Sequence, residues 1–133
     1  MNFGIIPSSW SPYLLGVLRI ITGLPFLAHG TAKLVQWPYV EMFKDGVPLG
    51  SLFGIGGILE IVGGALIVLG LFTRPVAFIL AGMMAVAYFM FHASASFHPI
   101  INGGELAILY CFIFLFLAAQ GPGALSFDGR RAA

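Results

Sequence analysis

Six ionisable side chains stand inside or at the edges of long apolar runs: Arg19, His29, Lys33, Glu60, His92 and Glu105. A charge at the centre of a membrane helix costs roughly 2.5–3.5 kcal/mol on insertion scales, so such groups face protein or pair with one another. Their types suit acid–base work on a polar-headed molecule. Histidine gains and loses protons near neutral pH, an ammonium steadies developing negative charge, and a carboxylate relays protons.

These residues need helices to position them, and the composition says in which solvent. Of the 133 residues, 59% are hydrophobic and only 8% charged. Soluble domains carry about 25% charged residues, so this chain lacks the polar surface to cover itself in water. It reads as one all-α integral membrane domain, a four-helix bundle in contact with the lipid bilayer. A formal net charge of +1 gives no reason to expect nucleic acid. Four runs approach the length of about 20 residues that spans a bilayer: 12–34, 49–72, 75–97 and 104–119. Met1 to Tyr13 has no Lys or Arg, so the first run reads as a permanent span rather than a signal peptide. A polar, aromatic loop follows it, and Thr73-Arg74-Pro75 makes a tight turn before the third. With four spans, both termini share a face with Arg74, Arg130 and Arg131, against Lys44 and Lys33 on the other. The positive-inside rule then puts both termini in the cytoplasm.

Arg19 lies roughly 10 Å inside that cytoplasmic end and Glu60 roughly 18 Å, at 1.5 Å per residue. Gly56, Gly63 and Gly64 flank Glu60, and Gly16, Gly23 and Gly30 recur along the first span. Small residues let helices approach closely in lipid, so an Arg19–Glu60 ion pair is the simplest expectation. The same glycines allow a homo-oligomer.

Toward the outer face, three antiparallel spans bring His29, Lys33, His92 and Glu105 to one layer, with Tyr88 and Ser96 flanking His92. Each has a plainer reading. Lys33 can snorkel to the headgroups. Asn102 and Glu105 have the spacing of a capping box, in which the carboxylate reaches back to the cap residue. The Gly103-Gly104 amides between them can instead bind an oxygen. His29, Lys33, His92, Asn102 and Glu105 are therefore the ligand-binding candidates, each weighed against a structural role. A haem held between His29 and His92 is a weaker option, and no metal site is expected. Cys111 is the only cysteine, so the chain has no CxxC motif and electrons would come from a bound molecule or a redox partner.

Four ordered segments carry a family likeness: "LLGVLRIITGLPFLAHGTAKL", "GGILEIVGGALIVLGLFTRP", "AYFMFHASASFHP" and "NGGELAILYCFIFLFLAAQGPGALSFD". Together they resemble the DoxX family of small four-span bacterial membrane proteins, from about Tyr13 to Asp128. The matching residues are Arg19, His29, Gly30, Lys33, Glu60, Arg74, His92, Asn102, Gly103, Gly104 and Glu105. The family is similar to the small subunit of an archaeal terminal quinol oxidase, and its members are often labelled oxidoreductases. The resemblance implies a four-helix bundle with a role in quinone-linked or thiol-oxidative-stress redox chemistry. Two functions follow as expectations. One is binding of a quinone-like or other small redox-active molecule in the outer polar layer. The other is a non-catalytic scaffold or assembly subunit of a redox complex. A permease using Arg19 and Glu60 ranks behind both, since four spans are few for one.

Overall fold

The computed structural model describes residues 3–131. The single 1–133 domain expected from the sequence thus has its first two and last two residues outside the described range. Among the described residues the regular structure is entirely helical: a short 3-10 turn at Ser8–Trp10, then α1 (Ser11–Val35), a second such turn at Glu41–Phe43, α2 (Leu52–Leu69), α3 (Thr73–Phe91), α4 (Pro99–Asn102), α5 (Glu105–Gln120) and α6 (Phe127–Arg131). Helices α1, α2 and α3 are each long and apolar enough to cross a membrane. At 16 residues, α5 is about 24 Å long and falls short of the roughly 30 Å hydrocarbon core unless the bilayer thins locally. The chain is an all-α, multi-pass membrane protein.

The helices group into two compact units, Met1–Phe72 with Pro122–Ala133 and Thr73–Gly121. In the first, α1 and α2 are antiparallel, because Gly23 meets Val68 while Gly30 meets Gly57. A Cβ on Gly30 would lie 2.7 Å from the Gly57 carbonyl oxygen, and one on Gly64 2.9 Å from the Leu27 nitrogen. Backbone therefore packs on backbone here, as small residues permit in lipid. Ser51 starts α2 by accepting a hydrogen bond from the Gly54 amide, and Gly70 ends it in the left-handed conformation, φ 66°. In the second unit, α3 and α5 are antiparallel around buried Ala77, Leu80, Met84, Tyr110, Phe114 and Leu117.

Boundaries differ from the sequence reading in α2, which covers Leu52–Leu69 of the expected 49–72, and in α3. The turn expected at Thr73-Arg74-Pro75 lies earlier, at Gly70-Leu71-Phe72, and α3 begins at Thr73 with Pro75 in its first turn. That helix stops at Phe91, short of 97, and the chain turns through residues 92–95. Small Ala and Ser residues read as a continuing span, but the Tyr88 carbonyl takes both the His92 and Ala93 amides and closes the helix.

Candidate functional site

Arg19 and Glu60 do not pair. The fully buried Arg19 guanidinium donates from all three nitrogens to carbonyls. Nε reaches Pro122 at 2.8 Å, Nη1 reaches Ile67 at 2.8 Å and Val68 at 2.6 Å, and Nη2 reaches Ala124 at 3.1 Å and Leu125 at 2.7 Å. Two of these acceptors belong to the last turn of α2, where the helix dipole favours a cation. The remaining three hold the segment after α5 against α1 and α2. Glu60 instead takes Lys33, whose Nζ donates to Oε1 at 2.7 Å and Oε2 at 2.8 Å. This correction has a geometric cause. Gly30 lies against the Glu60 Cβ, and Lys33 is one turn further on, whereas Arg19 lies about 16 Å back along α1.

Lys33 therefore does not snorkel. Its side chain is 12% exposed and that of Glu60 6%, and the Phe43 ring from the α1–α2 loop sits 5.9 Å from Nζ. A cation over a ring face in a dry site gains further attraction. His29 is exposed on α1 yet near enough to act electrostatically on the Glu60 carboxylate. The first unit thus gathers His29, Lys33, Glu60 and Phe43.

The second unit gathers His92, Tyr88, Ser96 and Asn102. Asn102 is buried, and its Nδ2 donates to the Tyr88 hydroxyl and to the Ser96 carbonyl, both at 3.0 Å. Its Oδ1 accepts the Gly104 amide at 2.7 Å, and its backbone carbonyl accepts from His92 Nδ1 at 3.0 Å. A carbonyl oxygen only accepts, so Nδ1 carries the hydrogen and the neutral ring presents Nε2 as an acceptor. Tyr88 stacks on His92 with ring centres 6.3 Å apart. Since Asn102 donates to the Tyr88 oxygen, the phenol keeps its own hydrogen to donate. The arrangement offers one acceptor and one donor.

The capping box is not formed. Pro99 opens the separate turn α4, and Gly103 closes it with φ 73°, making Asn102 the last residue of α4. Gly104 is then the residue that begins α5, its carbonyl accepting from Ile108. Glu105 stands exposed in the first turn of α5, where a negative charge suits the dipole, with no hydrogen bond or ion pair among the described residues.

The structure thus joins Lys33 to Glu60 in one unit and His92 to Asn102 in the other, and Glu105 bonds to none of them. Sequence reasoning did not find Phe43 over Lys33, which no spacing signals. It also read Arg74 as a turn residue, a positive-inside charge and a family match, without a bonding partner. Arg74 Nη1 donates to the Ala118 carbonyl at 3.2 Å and to that of Ala119, and Nη2 to Gln120 at 3.3 Å, closing the end of α5. Among the described residues no three His, Cys, Asp or Glu side chains come close enough to share a metal ion.

Residues 14–93 match the DoxX family. The chain belongs to that family. A Haemophilus influenzae protein described as uncharacterized is 43% identical over 124 residues, covering 91% of this chain and 92% of its own. The Escherichia coli inner membrane protein YqjF is 32% identical, over 84% of this chain and 87% of its own. A Bacillus subtilis protein named "Putative oxidoreductase CatD" is 28% identical, over 84% and 82% respectively. No solved structure matches.

Proposed function

We propose that this DoxX protein binds a quinone-like or other small redox-active molecule at His92, in the inner membrane of a bacterium, and supports membrane redox or oxidative-stress chemistry. The observation that carries this reading is the 3.0 Å contact between His92 Nδ1 and the Asn102 carbonyl. Neutral His92 offers Nε2 to a hydroxyl, and the Tyr88 phenol offers a hydrogen to an oxygen, which together suit a group that both donates and accepts. A proton released by such a ligand passes to His92 Nε2, and the exposed carboxylate of Glu105, on the helix that follows, serves to relay it outward. The electrons pass to or from a redox partner, because Cys111 is the only thiol in the chain. The names of YqjF and CatD agree with the location and with the class of chemistry. His29 and Lys33, in the first unit, are proposed as ligand contacts of their own.

The test is quinone-dependent quenching of tryptophan fluorescence in detergent, using a short-chain ubiquinol and its oxidised form. His92→Ala and Tyr88→Phe are each expected to weaken binding by about tenfold, one good hydrogen bond's worth. Unchanged binding in His92→Ala would sink the proposal. His29→Ala tests the first unit's contact separately.

A specific observation favours a second reading, the non-catalytic scaffold. The first unit's buried charges are fully engaged with carbonyls or with each other. A stoichiometric partner recovered in a pull-down, with no ligand in the purified protein, supports that reading. The cytoplasmic placement of both termini is proposed from the arginine count alone; a C-terminal reporter active only in the cytoplasm checks it.

A further inference from the structure

Arg130 and Arg131 end the first unit on α6, both exposed and neither with a carboxylate partner among the described residues. Each guanidinium lies over an aromatic ring instead, Arg130 over Phe127 and Arg131 over Phe72, both 5.7 Å from the ring centre. The rings are themselves positioned. Phe72 takes a left-handed backbone, φ 52°, that non-glycine residues seldom adopt, and its amide donates to Asp128 Oδ1 at 2.9 Å. The Asp128 amide donates in turn to the Gly70 carbonyl at 2.9 Å, and Ser126 Oγ accepts the Gly129 amide at 3.0 Å. These bonds fix α6 beside the turn that ends α2.

The position matters because α2 ends there as an apolar span. The end of a span is where lipid headgroups meet the hydrocarbon, and the two arginines follow about 5 Å further along α6. Leu125, Phe127 and Phe72 are exposed around them. A soluble anion would be met by the cations alone. Cations set among exposed apolar side chains match a molecule that is anionic at one end and apolar at the other. Stacking on a ring also leaves the guanidinium edge, with its forked N–H donors, free for a phosphate.

We propose that Arg130 and Arg131, backed by Phe127 and Phe72, form a binding site for the headgroup of an anionic phospholipid. The proposal uses none of the residues of the redox reading and does not depend on it. The full chain, purified in detergent and titrated with phosphatidylglycerol or phosphatidylcholine, is examined by native mass spectrometry to count bound lipids. At roughly fivefold per arginine near a membrane surface, a preference for phosphatidylglycerol of about 25-fold is expected. Arg130→Ala/Arg131→Ala is expected to abolish it, and Phe72→Leu/Phe127→Leu to reduce it while both charges remain. Lys44→Ala, at the opposite end of the α1–α2 pair, leaves it intact. Should the alanine pair unfold, Arg130→Gln/Arg131→Gln keeps polar side chains and is expected to show the same loss. An unchanged preference in the folded double variant overturns the proposal. So does equal displacement of the lipid by inorganic phosphate at constant ionic strength, which would mark a site for the free anion.

Discussion

A guanidinium has five N–H donors in a fixed fork and an ammonium has three that rotate. Arg19 meets five carbonyls, so Arg19→Lys keeps the charge but leaves at least two acceptors without a donor. At the cost of unmade bonds to a buried charge, unfolding in detergent is expected to become easier by about 2–4 kcal/mol. Lys33 and Glu60 invite a different comparison. Losing one partner of a buried pair leaves a charge uncompensated, worth about 3–5 kcal/mol, while replacing both by apolar residues restores much of it. Lys33→Met and Glu60→Leu are each expected to be strongly destabilised, and the double variant less so than either; additive losses would show that the pair is not coupled. The residue types were legible in the sequence, and their need for partners followed from the bilayer. The pairings were not, because the carbonyls that satisfy Arg19 carry no sequence signal. Lys33 also looked like an interfacial side chain until Gly30 set the register of α1 on α2.

At the scale of elements, glycine decides how closely α1 and α2 approach. Gly30→Ala and Gly64→Ala each place a methyl against backbone that has no rotamer to change, and are expected to cost about 1–3 kcal/mol. Gly82→Ala in α3 meets nothing within 4 Å and removes a flexible residue from a helix interior, so it is expected to be neutral or stabilising by about 0.5–1 kcal/mol. Unfolding midpoints across the three variants check the contrast. The α1–α2 loop adds a pH signature. The Tyr39 hydroxyl donates to Glu41 Oε2, and Lys44 Nζ sits 2.9 Å from Oε1. The tyrosine bond first, and Lys44 second, hold the Glu41 carboxyl below its ordinary value. The same bond raises the Tyr39 phenol. Glu41's contribution to loop order is present above the ordinary carboxylate value and lost as pH falls through the lowered one. That of Tyr39 is present below the ordinary tyrosine value and lost as pH rises through the raised one. In Glu41→Gln, the ultraviolet titration of Tyr39 is expected to move back down. Four apolar helices were readable from hydropathy and length alone. The early end of α3 and the separate turn α4 were not, since Ala93, Ser94, Ala95 and Ser96 are small enough to suit either a helix or a turn.

In the whole molecule, each antiparallel pair is closed by an arginine from its first helix, Arg19 on the end of α2 and Arg74 on the end of α5. The first pair differs because it also needs residues 122–125 from far along the chain. A chain ending at Gly121 loses three of the five Arg19 acceptors, and hydrogen exchange in α1 and α2 is expected to quicken more than in Arg19→Lys. That dependence sets an order of events during synthesis. The ribosome makes α1 and α2 early, and Ile67 and Val68 are the only acceptors then present for the guanidinium. Residues 122–125 emerge more than fifty residues after α2 ends. Until they arrive, a half-satisfied cation sits inside the newly inserted pair, so this helix pair, made first, is among the last parts to reach its final bonding.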